Sequence, residues 1–281
     1  MKALAERSQA EPPQKFDTQY ATGASALFNT IEGEIIPRLM LAHRGALSGA
    51  EPEKLSGEKL TEQDHQEFLQ YILHGSATSA RQHAEMLLKR GVPREDLLLG
   101  LLAEAARKLG EMWEQDLCDF TEVTIGLCRL HEIVRKNSPD KQHSIPQSSS
   151  ASPRILLATA CGDQHVFGVV IVADFFRRAG WRVSSEPGAT EAELVEILAE
   201  RHFDVLGLSA ACGVIADDIA GEIKNLRSAS SNKDLKVLVG GRLFLEDSEL
   251  IEKVGADAFA GDARSATEIG QNLLAAVSAH C

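Results

Sequence analysis

Asp163 and His165 stand two residues apart, and their types and spacing suit metal ligation. A carboxylate so placed can accept one ring N–H of the imidazole. That bond orients the ring, raises its basicity and leaves the second nitrogen for a metal. The pair lies in Cys161-Gly162-Asp163-Gln164-His165-Val166-Phe167-Gly168, directly after the apolar run Arg154–Ala160. Further short segments end apolar runs in the same way: Gly207-Leu208-Ser209, Gly240-Gly241 and Gly261-Asp262. Glycines at such places let a bulky ligand pass close to the backbone, because no Cβ stands in the way. A nucleotide site is a poor match. The segment after the first run is not GxGxxG, and no GxxxxGK[ST] phosphate loop occurs.

The elements that must position these residues are legible from pattern. Five β-then-α repeats follow residue 153, with strands at Arg154–Ala160, near Trp181–Pro187, at Asp204–Ser209, Lys236–Gly241 and Asp257–Gly261. Such repeats give an α/β fold with a five-stranded, doubly wound parallel sheet of the flavodoxin-like kind. Ligands bind such sheets beyond the carboxyl ends of the strands, and every segment named above falls there. Before the repeats lies an all-α region. Helical spacing predicts segments from Thr61 to about His74, from Ser76 or Thr78 to Lys89, from Pro93 to about Trp113 and from Leu117 to Lys136. Short connections make these an antiparallel bundle. A further helix, kinked at Pro37, is expected over Gly23–Arg44, after a loose tail up to Thr22. Residues 137–153, NSPDKQHSIPQSSSASP, read as a flexible linker. The expected division is therefore a tail over 1–22, a helical cap domain over 23–136, the linker, and a Rossmann-like domain over 154–281.

Composition narrows the function. Among 281 residues the formal net charge is −12, which disfavours direct binding to DNA or an anionic membrane. No run reaches the length of a membrane span, and the N-terminus lacks an apolar signal core, so a cytoplasmic protein is expected. The five cysteines form no CxxC pair. Cys128 and His131 share a helix face, but no further ligand accompanies them.

DQHVFG, Asp163 to Gly168, resembles the DxHxxG signature of cobalamin-binding domains such as those of methionine synthase and corrinoid methyl carriers. The resemblance implies that His165 replaces the cofactor's own benzimidazole below cobalt, and that the nucleotide tail threads a slot beside the sheet. Ser209 matches the serine lining that slot, and Gly240-Gly241 the glycine pair. Leu109-Gly110-Glu111-Met112-Trp113 resembles the cap segment whose tryptophan lies over the corrin. The implied cofactor-binding set is Trp113, Asp163, Gln164, His165, Val166, Gly168, Gly207, Ser209, Gly240, Gly241 and Gly261, with His165 the metal ligand of cobalt. No histidine among His43, His74, His83 and His131 is singled out as an upper ligand.

Ile35-Ile36-Pro37-Arg38-Leu39 and Asp119-Phe120-Thr121-Glu122-Val123-Thr124-Ile125-Gly126 are similar to runs in the AerR/PpaA group of photosynthetic bacteria. That resemblance implies a cobalamin-binding antirepressor, not an enzyme, acting on a repressor protein of the CrtJ/PpsR type. The alternatives are a corrinoid methyl carrier of a methyltransferase system, and heme binding by the same fold. Adenosylcobalamin photoreceptors carry a Glu-His pair where this chain has Val123 and Thr124. Two further expectations follow: Gly241→Val should block the tail slot while sparing the fold, and the corrin should set the placement of cap against sheet.

Overall fold

A computed structural model describes residues 58–138, 152–211 and 214–278. The expected helix at 23–44 and most of the linker lie outside them.

Helix α1 (Glu62–Leu73) starts where the sequence signals it. Thr61 accepts from the Asp64 N–H, and Asp64 reaches back to the Thr61 N–H, closing a capping box. Asp64 is also buried and takes both terminal nitrogens of Arg90 at 2.8 and 2.6 Å, tying α1 to the end of α2 (Ala77–Arg90). That guanidinium holds the Asp64 carboxyl well below the usual carboxylate range. Helix α3 opens at Arg94–Asp96, widens to a π-helix over Leu97–Leu102 and continues as Ala103–Glu114. The widened turns bury Leu97, Leu98, Leu101 and Leu102 together. Periodicity alone does not show such a stretch, and π-turns concentrate at functional places. Helix α4 (Phe120–Asn137) starts three residues later than expected, because Asp119 and Glu122 form its capping box. Phe68, Ile72, Leu87, Leu109 and Leu130 are fully buried between these helices. Each contributes about 1.5–3 kcal/mol of burial.

The C-terminal part is a five-stranded parallel sheet in the order β2-β1-β3-β4-β5. Its strands are β1 (Arg154–Thr159), β2 (Arg182–Glu186), β3 (Val205–Ser209), β4 (Lys236–Gly240) and β5 (Ala258–Ala260). Alternate residues face opposite layers. Leu156, Leu206 and Val237 pack toward α6 (Glu191–Glu200) and α7 (Ala216–Ala229). Ile155, Val205 and Leu238 pack toward α5 (Val166–Arg178) and α10 (Ala263–Ser278). After β4 come two short helices, α8 (Arg242–Glu246) and α9 (Glu249–Lys253), where the pattern gives one. The order reverses direction between β1 and β3, which opens a crevice at their carboxyl ends.

The bundle is fastened directly to this sheet domain, a correction to a placement set mainly by the corrin. Phe167, Ile171 and Phe175 of α5 and Ala263 of α10 belong to the same apolar core as the bundle leucines. At one edge the buried Asp174 carboxylate accepts from Ser138 Oγ at 2.6 Å and from Arg178. Arg178 and Arg94 both donate to the Asn137 carbonyl, and Arg264 of α10 pairs with Glu95 at 2.9 Å. A helix C-terminus offers unpaired carbonyls, and these guanidinium groups take one of them.

Candidate functional site

Strand β1 delivers the chain to the crevice, and a tight turn over Ala160–Asp163 redirects it. The Asp163 N–H closes the turn onto the Ala160 carbonyl at 2.9 Å. Gly162 takes the left-handed φ of +82° that the third place of a type II turn demands. Asp163 is then buried with a fully used carboxylate. One oxygen accepts from the His165 backbone N–H at 2.9 Å and pairs with His165 Nδ1; the other accepts from the Ala211 N–H. Two consequences follow. The carboxylate fixes the Nδ1–H tautomer, so Nε2 carries the lone pair. It also ties the His165 loop to the end of β3.

His165 occupies the N-cap position of α5, makes no capping bond with its side chain, and is about nine-tenths buried. Its Nε2 has no hydrogen-bond partner. A buried polar nitrogen without a partner is expensive unless something else binds it. It lines a cavity of about 250 Å³ between the sheet and the bundle, with Ala103, Ala106 and Arg107 of α3, Leu127 of α4, and Phe167 and Gly168. A second cavity of about 230 Å³ continues downward between α5 and the sheet. Gly168, Gly207, Ser209, Gly240, Gly241 and Gly261 line it, as do Leu99 and Arg107. Ala103, Arg107, Gly168, Ile171, Ser209 and Gly241 line both, so the two spaces join beside His165.

The glycines serve different ends. A Cβ at Gly168 would meet nothing within 4 Å, so a side chain there would enter the cavity. Gly241 differs. Its φ of 96° and ψ of 173° lie where essentially only glycine goes. A Cβ there would stand 2.3 Å from the Ala210 carbonyl oxygen. Gly241 is thus required by the backbone, and Gly241→Val would disturb the fold, contrary to the expectation that it would block only the slot. Asp163, Gln164 and Val166 do not line either cavity; Asp163 acts behind His165, and Val166 is buried at the start of α5. Trp113 is half-buried at the far end of α3, edge-on to Phe120 at 6.3 Å, and also lines neither cavity. Of the other histidines, His83 sits between Phe68 and Tyr71, while His131 packs edge-on against Phe167 at 5.1 Å. His43 lies outside the described residues. Arg107, Ala103 and Arg242 line the larger space, and sequence reasoning did not single them out. For Ala103 and Arg107 the signal, one face of a helix turned to a crevice, exists only once the bundle is docked, while Arg242 follows the strand-end glycines at the start of α8.

Among the described residues no three His, Cys, Asp or Glu side chains stand close enough to hold a metal ion together. His165 therefore suits a metal that arrives with its other ligands, as in a macrocycle, and the joined cavities give such a group a place for a long substituent.

Comparison with known proteins agrees. Residues 153–269 match the B12 binding domain model. The chain is 29% identical over 174 residues to an uncharacterized 20.5 kDa protein of the bchF-crtJ intergenic region of Rhodobacter capsulatus, covering 61% of this chain and 88% of that one. Its fold resembles the monomethylamine corrinoid protein of Methanosarcina barkeri with a TM-score of 0.60 and 17% identity, over 75% of this chain and 99% of that one. A cobalamin-binding protein from Desulfitobacterium hafniense is 20% identical with a TM-score of 0.42, over 74% of this chain and 97% of that one. The buried Nε2, the open face of Gly168 and the joined cavities fit the cofactor of that family. Residues 153–269 thus match a B12 binding domain, and the cofactor that this match and the site support is cobalamin.

Proposed function

We propose that this chain is a cobalamin-dependent regulator that acts on a DNA-binding partner protein, a repressor of the CrtJ/PpsR type, and not an enzyme. The observation that carries the reading is the relative from the bchF-crtJ intergenic region, which aligns over 88% of its own length. The net charge of −12 supports a protein partner over DNA itself, since phosphate repels an acidic surface.

In this reading His165 Nε2 is the lower ligand of cobalt, in place of the cofactor's benzimidazole. Asp163 holds the imidazole from behind. The cavity past Gly168, Ser209 and Gly240 takes the nucleotide tail, and the face of α3 from Ala103 to Arg107 stands over the corrin. Bound cobalamin would supply a cobalt centre responsive to light or to solution composition. Ala103 and Arg107, which line the space beside His165, would sense its state, and the packing of α3 and α4 on α5 would carry that to the surface. Such a response is a shift between two cap positions, which the ligand states favour unequally.

A repressor–operator anisotropy titration tests it. The chain loaded with hydroxocobalamin should change the operator affinity of its repressor, the cobalamin-free chain should not, and illumination should alter the size of the change. If the loaded chain leaves repressor binding untouched and instead accepts and returns a methyl group with a methyltransferase, the carrier function holds and the regulatory reading fails.

A further inference from the structure

Outside the cavities, one buried carboxyl has no role so far. Glu222 of α7 is 3% exposed, and no cation among the described residues pairs with it. One of its oxygens accepts the Cys161 backbone N–H at 3.0 Å, and the other has no partner. Burial pushes its carboxyl up to about 7, the Cys161 N–H pulls it back in part, and the Glu191 carboxylate on α6 adds a further upward push. A group this costly needs a reason to be there.

The turn that carries the ligand loop supplies one. In the Ala160–Asp163 turn, the Ala160 N–H is taken by the Ser209 carbonyl at 2.9 Å, and the Asp163 N–H by Ala160 itself. Cys161 occupies the second place of the turn, whose N–H points outward and finds no acceptor within the turn. Glu222 is that acceptor. We infer that Glu222 is a positioning residue for the cobalt ligand: it fixes the Ala160–Asp163 turn from behind, and through Asp163 it sets the direction of His165 Nε2. The chain of contacts is continuous, from Glu222 to Cys161, along one turn to Asp163, and from the Asp163 carboxylate to the imidazole. The inference rests on His165 being the lower ligand.

Two substitutions separate positioning from folding. Glu222→Leu removes a buried ionisable group and keeps an apolar side chain of similar size, so the protein should fold at least as well, but the Cys161 N–H loses its acceptor. Glu222→Gln keeps a carbonyl oxygen for that N–H. The full-length chain is loaded with cob(II)alamin whose benzimidazole nitrogens are the heavy isotope, so that in its electron paramagnetic resonance spectrum a three-line nitrogen splitting reports a histidine on cobalt and a two-line splitting the benzimidazole. Glu222→Leu should lower the histidine-ligated fraction and weaken binding about tenfold, at the lower end of what losses behind a metal ligand produce. Glu222→Gln should restore both toward wild type. Wild-type ligation and affinity in Glu222→Leu, or no recovery in Glu222→Gln when both are folded, would overturn the inference. A wild-type protein that binds with no histidine on cobalt would instead overturn the ligand assignment beneath it.

Discussion

Gly168 and Gly241 stand on the same crevice, but the structure predicts opposite outcomes for them. Gly168 lies in the first turn of α5, and an added Cβ meets nothing within 4 Å. Glycine in a helix is about 0.5–1 kcal/mol less favourable than alanine, so Gly168→Ala should raise the stability of the cobalamin-free protein by up to about that amount. The same site faces both cavities. Gly168→Leu should therefore fold well and exclude the cofactor. Overfilling a packed space costs about 1–3 kcal/mol, which as a binding loss is roughly 5- to 150-fold. Gly241→Ala places a Cβ 2.3 Å from the Ala210 oxygen in a backbone region reserved for glycine. Strain of about 1–3 kcal/mol and a comparable packing penalty add to about 2–6 kcal/mol of lost stability. Thermal unfolding followed by circular dichroism, beside spectrophotometric titration with hydroxocobalamin, reads both effects. Normal stability in Gly241→Ala together with normal binding in Gly168→Leu would refute this division of roles.

Three further outcomes are expected. His165→Ala should weaken cobalamin binding more than Asp163→Asn, whose loss should be about 10–100-fold; equilibrium titration checks the order. Glu222 should make stability fall with pH. Its folded pKa of about 7 lies above the ordinary 4.5, so its contribution is full below about pH 4.5 and is lost as pH rises toward 7. That span corresponds to about 3 kcal/mol, and the stability of Glu222→Gln relative to wild type should grow by this amount across it in urea titrations; a constant difference would contradict the burial argument. Asp174→Ala should loosen the edge where bundle meets sheet, because Ser138 and Arg178 lose a buried acceptor. Arg178 keeps partial access to water, so about 2 kcal/mol is expected, with faster proteolysis next to Ser138 as the companion readout.

The fold was legible where local signals are strong. Thr61, Ser76 and Thr190 cap the helices assigned to them, and apolar runs between glycines became the five parallel strands. The strand-end segments fell on one crevice because a parallel sheet brings its carboxyl ends together. What stayed hidden depends on tertiary contact. The π-helical stretch at Leu97–Leu102 buries four leucines in widened turns that apolar periodicity does not mark, and the Asp174 contacts join residues 36 positions apart. Glu222 reads in sequence as one more acidic residue on a helix. Only the fold sets it beneath Cys161, 61 positions away. Gly241 was noticed for the right position and the wrong reason, since sequence cannot separate a glycine that faces a ligand from one pressed on backbone.

The most direct test of the central claim uses cob(II)alamin whose benzimidazole nitrogens are replaced by the heavy isotope. In the electron paramagnetic resonance spectrum of the complex, the axial nitrogen of an unlabelled histidine splits each cobalt line into three, and a labelled benzimidazole nitrogen splits it into two. Ligation by His165 Nε2 predicts the three-line pattern in the wild-type complex and its loss in His165→Ala. A two-line pattern in the wild-type complex would show the benzimidazole still on cobalt and contradict the account.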